Sequence, residues 1–227
     1  MSSARGSGRL VTGLAWAVLL LGLWLWGRDV SGGSGSTSGP ITGDIAAVGR
    51  PLGAPLPPAH DPLRGAAPQR VEIPSIGIAA PVVPRGLDAE GAVDPPPYNR
   101  PGTVGWFDGG ARPGEAGAAL LVGHVDTESK PAVFYGLSAA RAGQQVKVTA
   151  ADGTVAEFTI DDVRVFPRSH FDAATVYGPR QRGRAELRLI TCGGTYDRRT
   201  KAYTANVVVS AYLTDAREAA PSKPPKP

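Results

Sequence analysis

One cysteine, Cys192, stands in a chain of 227 residues. That scarcity excludes an internal disulfide framework and any cysteine-built zinc site, and neither Cys-x-x-Cys nor His-x-x-x-His spacing occurs. The chain also lacks a block of positive charge. Its formal net charge of +4 is spread out, with no basic stripe interleaved with aromatics, which argues against a nucleic-acid face. The one cluster, Arg180, Arg182 and Arg184, falls in a loop with Gly178, Pro179 and Gly183. It reads as a solvated loop, with contact to an anionic surface as the lesser reading. Helical periodicity is scarce in the body of the chain, and no paired internal repeat is visible.

What is present begins with a long apolar run. Leu10 to Gly27 carries no charge over 18 positions and holds three tryptophans. As a helix it would be about 27 Å long, close to the thickness of a bilayer core. Arg5 and Arg9 precede it, while Arg28 and Asp29 nearly cancel. The expectation is an uncleaved signal anchor at 10–27, residues 1–9 in the cytoplasm and the body outside, a single-pass cell-membrane protein. A cleavable signal peptide, cut in the Ser-Gly run at 31–39, is the alternative. Residues 28–69, rich in Gly, Ser, Pro and Ala, are expected to form a disordered stalk. Some forty coil residues span roughly 35 Å. Residues 215–227, ending in PSKPPKP, read as a disordered tail.

The remaining body, 70–214, is long enough for one domain with a real core. Val71 to Ile78 and Ala80 to Pro84 read as strands broken by prolines, suited to a first or edge position. Ala118 to His124 reads as a buried strand ending at a histidine. Gln145–Thr149 and Thr154–Ile160 flank Asp152-Gly153, a strong hairpin signal. Asp162 to Phe166 prolongs this region, and Asn206 to Leu213 closes the domain. Helical pieces are expected at Pro131–Ala140 and around Phe171–Val176. Short strands at this spacing predict a mostly β closed barrel.

Cys192 ends the run Leu187-Arg-Leu-Ile-Thr-Cys and precedes Gly193-Gly194, where a strand gives way to an open loop. A rigid element that aims a thiol, with room for a carbonyl beside it, is what a nucleophile needs. A small buried hydrophobe is the other reading of a lone cysteine. Outside the cell the unpaired thiol is either free and reactive or paired between chains. Of three histidines, His60 lies in the stalk and His170 in a polar loop. His124 alone ends an apolar strand, in Val-Gly-His-Val-Asp126, as a structural histidine or as the acid/base partner of Cys192. Asp126, two residues on, is either a carboxylate at an exposed loop start or, sharing the His124 face in a continuing strand, a group that orients the imidazole. Arg198 and Arg199, after Tyr196-Asp197, are either a solvated hairpin tip or donors to a developing oxyanion.

Taken together, the anchor and stalk, Val-Gly-His-Val-Asp, Leu189-Ile190-Thr191-Cys192, a following arginine and a closing Val207-Val-Val strand resemble a sortase over about Val71 to Leu213. With Gly193-Gly194-Thr195-Tyr196-Asp197-Arg198 and Asn206-Val-Val-Val, the chain is most similar to the actinobacterial class F sortases. The resemblance implies an eight-stranded β-barrel cysteine transpeptidase with no cofactor; no metal ligands are assigned, and a calcium site of the kind some sortases carry is not readable from the scattered Asp and Glu. It implies that Cys192 attacks the Thr–Gly carbonyl of a Leu-Pro-x-Thr-Gly-like signal and that His124 serves the leaving and entering amines. The acceptor would be a peptidoglycan-precursor amine and the donors surface proteins bearing the signal, with the enzyme a monomer. In better-known classes the arginine precedes the apolar run of the last strand, where this chain has Asn206. The role is therefore expected to pass to Arg198, with Arg199 in reserve, or partly to Asn206, with Thr191 in support. Two other classes stay open: an anchored barrel that binds wall polymer without catalysis, and a secreted cysteine peptidase that uses water.

Overall fold

Eight strands close into a barrel in the computed structural model, which describes residues 55–218 apart from Glu90 and Lys201. The expected membrane span at 10–27, most of the stalk and the end of the tail lie outside the described residues. The strands are β1 (Pro68–Ile73), β2 (Ile78–Arg85), β3 (Val104–Phe107), β4 (Gly117–Val122), β5 (Gln145–Ala150), β6 (Val155–Pro167), β7 (Ala185–Asp197) and β8 (Ala202–Arg217). Their order around the barrel is β1-β2-β3-β4-β7-β8-β6-β5, and β5 pairs back onto β1. The β2–β3 and β4–β7 pairs are parallel. The expected Asp152-Gly153 hairpin joins β5 to β6, with Gly153 at a φ of 84° that a side chain would resist. Asp162 to Phe166 prolongs this strand as expected, with β6 running to Pro167 along β8.

Along β7 the side chains sort by parity. Ala185, Leu187 and Leu189 point into the barrel with Val71, Leu121, Phe158 and Leu213. Ile190 points outward and joins Leu120, Val122, Val208, Val93 and Val176 in a second apolar cluster on the outer wall. Phe107, Phe166, Phe171 and Tyr177 pack against that outer cluster. Val176, Phe171 and Tyr177 come from the β6–β7 connection, which carries a short helix, α1 (Ala173–Tyr177), capped by the Asp172 carboxylate accepting from Ala174 N.

Three expectations change. Pro131–Ala140 is not a helix, and only Leu137–Ala139 makes a 3-10 turn. Its first half is taken by pairing back onto the end of β4, with Ala132 N donating to Val125 O at 3.0 Å and Phe134 N to His124 O at 3.0 Å. Residues 55–67, counted with the stalk, lie along the barrel: His60 N donates to Leu213 O at 2.9 Å and Leu63 N to Gly114 O at 2.8 Å. Tyr212 Oη also donates to Pro57 O at 2.6 Å, and β8 runs on to Arg217. Finally, Arg180 and Arg184 are not simply solvated.

Glu186, fully buried on the outer side of β7, accepts from Arg180 N at 3.0 Å and Gln181 N at 2.9 Å. It also pairs with Arg184 at 3.0 Å and with the buried Arg188 at 2.5 Å. Arg180 and Arg184 reach on to Asp161, and Arg180 to Asp162. The network clamps the β6–β7 connection to the barrel wall. Burial opposes the charge on Glu186, but the hydrogen bonds from Arg180 N and Arg188 and the charges of Arg188 and Arg184 outweigh it and hold the carboxyl below its usual range. A lowered folded pKa stabilises the fold above the unfolded value near 4.3, and that stability is lost as pH falls through the folded value. Glu186→Gln is therefore expected to cost about 3–5 kcal/mol in urea unfolding at pH 7. The difference from wild type should shrink in acid, once the wild-type carboxyl takes up its proton.

Candidate active site

Cys192 and His124 reach the same edge of the barrel on adjacent strands. The β4–β7 register pairs Leu121 with Leu189 inside and Val122 with Ile190 outside. Gly123 N then donates to Ile190 O at 3.1 Å, so the pairing persists one step past β4. His124 follows directly, so it and Cys192 leave the same end of the β4–β7 pair. Gly123 is required there, because a Cβ would lie 2.6 Å from the Phe134 ring. By alternation Cys192 faces outward beyond Ile190, and its thiol is exposed.

His124 is almost fully buried, and what covers it comes from the β2–β3 loop. Its Nε2 lies 2.6 Å from Pro96 O. A carbonyl only accepts, so Nε2 carries the proton and Nδ1 is the nitrogen left to exchange one. The Tyr98 ring stacks on the imidazole with centroids 4.1 Å apart and planes 20° from parallel. Arg85 secures the same loop, pairing with the Asp94 carboxylate and donating from Nε to Asp94 O at 3.2 Å. Sequence reasoning passed over this loop. Its signal was Pro95-Pro96-Pro97 before Tyr98, a stiff extended segment that delivers an aromatic ring.

Asp126 does not orient His124. Its carboxylate accepts from Tyr203 Oη on β8, and Tyr203 meets the Tyr196 ring edge-on at 5.3 Å. The hydrogen bond to Asp126, then burial and the charges of Asp126 and Cys192, push the Tyr203 phenol up to about 12. Asn206 pairs across from Cys192. Thr191 faces the other side of β7, its hydroxyl buried without a hydrogen-bond partner among the described residues.

Arg198 and Arg199 lie at the exposed tip of the β7–β8 hairpin, past the pairs Tyr196–Tyr203 and Asp197–Ala202. Arg199 N donates to Asp197 Oδ1 at 2.8 Å, and the guanidinium sits 4.0 Å from the same carboxylate. Neither arginine is brought to Cys192. The thiol is open on one side yet walled on the others, and burial pushes it up. Arg168 lowers it and Asp126 raises it further.

The Sortase domain family matches residues 71–214. The chain belongs to the sortase family. As such it is a cysteine transpeptidase, and sortases in general act on proteins bearing a sorting signal and on cell-wall amines. Among solved structures this sortase is similar to sortase A of Listeria monocytogenes, at 15% identity and a TM-score of 0.51, over 69% of this chain and 92% of that one. It is also similar to sortase C of Streptococcus pneumoniae, at 17% identity and a TM-score of 0.50, over 67% of this chain and 70% of that one. Among curated proteins no relative matches. These likenesses show the fold, and the site residues rest on the geometry above.

Because Tyr98 holds the His124 ring in place, Tyr98→Ala in this sortase is expected to lower kcat roughly 10-fold or more with little change in KM, and Tyr98→Phe to keep most of the rate. Steady-state kinetics on a sorting-signal peptide read the difference; equal loss in both variants would assign the effect to the hydroxyl instead.

Proposed function

We propose that this sortase cleaves a Leu-Pro-x-Thr-Gly-like signal between Thr and Gly through an acyl-thioester on Cys192. The acyl group then passes to the amine of a peptidoglycan precursor. The observation that carries this reading is the convergence of His124 and Cys192 at neighbouring strand ends, above an apolar outer wall of Leu120, Val122, Ile190 and Val208. Cys192 Sγ adds to the Thr carbonyl. His124, with Nδ1 free to exchange a proton, protonates the departing amine and later deprotonates the entering one. The apolar wall and the Phe166, Phe171 and Tyr177 rings offer a surface for the signal's apolar residues.

The finer assignments belong to the same proposal. Thr191-Cys192-Gly193-Gly194, Tyr196-Asp197-Arg198 and Asn206-Val-Val-Val support a class F kind of sortase. The uncharged run at 10–27 behind Arg5 and Arg9 supports a single-pass anchor with the catalytic domain outside, working on surface proteins in general.

The test is intact mass of the full chain in detergent after incubation with Leu-Pro-x-Thr-Gly peptides, with and without an added amine. The expected result is an acyl adduct and an amine-ligated product, both abolished in Cys192→Ala, with turnover lost in His124→Ala. Hydrolysis alone, even at high amine, would make water the acceptor and the protein a peptidase. No adduct and no cleavage across a panel of varied signals would overturn the reading.

A further inference from the structure

A thiolate nucleophile and the oxyanion it creates both need positive charge close by, and the sheet around Cys192 narrows where that charge can come from. On β8, the strand that pairs with the far side of β7, Asn206 lies directly opposite Cys192 and Thr204 comes two residues before it. Neither is charged, and Thr204 Oγ1 already accepts from Thr195 N at 3.0 Å. The hairpin arginines lie six and seven residues past Cys192. At about 3.3 Å per residue that is roughly 20–23 Å of extended chain, beyond side-chain reach unless the hairpin folds back.

The other flank of β8 is β6, whose last pairs are Phe166 with Asn206 and Pro167 with Ala205. One row therefore runs Phe166–Asn206–Cys192 across three strands, about 10 Å in all, with all three side chains on the outer face. Arg168 comes two residues after Phe166, where the chain leaves the sheet in the exposed 3-10 turn Arg168–His170. It is at the barrel edge where Cys192 sits. Most of the other arginines of the domain are committed to carboxylates, but Arg168 has no ion pair or side-chain hydrogen bond among the described residues. Among the described residues, its charge is the one that lowers the thiol.

We propose that Arg168, on the turn that follows β6, is the cation of this site, in place of Arg198 or Arg199. It holds the Cys192 thiolate and then the oxyanion. This rests on the acyl-thioester reading for its second half only. As the Sγ–C bond forms, the carbonyl π pair moves to oxygen, and Arg168 donates hydrogen bonds to that oxygen without giving up a proton. Collapse restores the C=O and breaks the C–N bond, and the amine leaves with the proton that His124 Nδ1 took up from the Cys192 thiol when the thiolate formed. The loop between β6 and β7, clamped by the Glu186 network, would then carry both the apolar wall for the signal and the charge for the reaction.

The groups facing Cys192 are His124 and Asp126 after β4, Tyr98 from the β2–β3 loop, Tyr196 on β7, Tyr203 and Asn206 on β8, and Arg168. The experiment is the rate of Cys192 alkylation by iodoacetamide against pH, read by intact mass on the full chain, where the single cysteine leaves one site to label. Wild type, Arg168→Ala, Arg168→Lys and Arg198→Ala/Arg199→Ala are compared at low and high salt. Arg168→Ala should move the profile to higher pH and slow alkylation several-fold near neutrality. Arg168→Lys should restore the profile, the hairpin double variant should match wild type, and added salt should erase the difference. In parallel, Arg168→Ala should lower transpeptidation about 10²–10³-fold, with Arg168→Lys rescuing it poorly because it lacks the planar fork. A profile unchanged in Arg168→Ala, or a larger shift in the hairpin variant, would overturn the assignment. A shifted profile in a protein that turns over no signal peptide would sink the transpeptidase reading and leave Arg168 as the thiolate's partner.

Discussion

The parallel pairing of β4 with β7 is the constraint on which the site depends. His124 and Cys192 are 68 residues apart, and an antiparallel pairing would bring the end of one strand to the beginning of the other. Only parallel neighbours end at the same edge. The register is held by the interior: Leu121 lies against Leu189 and Ala119 against Leu187, all in the barrel core. Slipping one residue would turn those side chains to the outer face and drive Glu186 and Arg188 into the barrel interior, away from Arg180 and Arg184. The chemistry is thus aligned by apolar residues that never touch it.

A parallel pair needs a long crossover, and this one is put to use. Between β4 and β7 the chain builds the β5–β6 hairpin, then the turn at Arg168 and helix α1. The return to β7 passes over the outer wall, and Val176, Phe171 and Tyr177 dry a surface that an isolated barrel would leave wet. Buried charge holds that connection down. Glu186 is costly to bury, and it is tolerated because four donors from the connection and from β7 itself converge on its two oxygens. Removing any one partner leaves charge stranded against the barrel, so the wall of the site and the stability of the fold are coupled.

Much of this was legible in the residues. Strand alternation, the Asp152-Gly153 turn and the placement of Cys192 before two glycines are local signals, and a barrel with Cys192 and His124 at strand ends follows from them. What was not legible depends on chain reversal or on neighbours distant in sequence. Asp126 shares a face with His124 only if β4 continues, but β4 stops at Val122 and the chain turns back at Ala132–Phe134, delivering Asp126 to Tyr203. The same reversal overrode the helical pattern at Pro131–Ala140. Arg198 looked close to Cys192 because it is close in sequence, but an extended strand carries neighbours apart, while barrel closure brings β6 alongside β8. The Pro96 carbonyl and the Tyr98 ring carry no catalytic signature of their own and act through a residue 26 or 28 positions away.

The resting site is not built for maximum nucleophilicity. Burial and Asp126 both hold the Cys192 proton on, and among the described residues Arg168 opposes them. The thiolate is the species that attacks carbonyls and also the species that oxidants capture. A mostly protonated thiol on an open face is therefore slower to react with either. In the function proposed above, a signal bound on the apolar wall would exclude water and strengthen whatever fixed charge remains, so the same guanidinium would act more strongly on the anions of the reaction than on the empty site. His124, its tautomer set by Pro96 and its ring held under Tyr98, needs no reorganisation when the proton moves. Protection at rest and reactivity when occupied then follow from one arrangement, in which the histidine is fixed in advance and the charge balance at the cysteine is completed by the substrate.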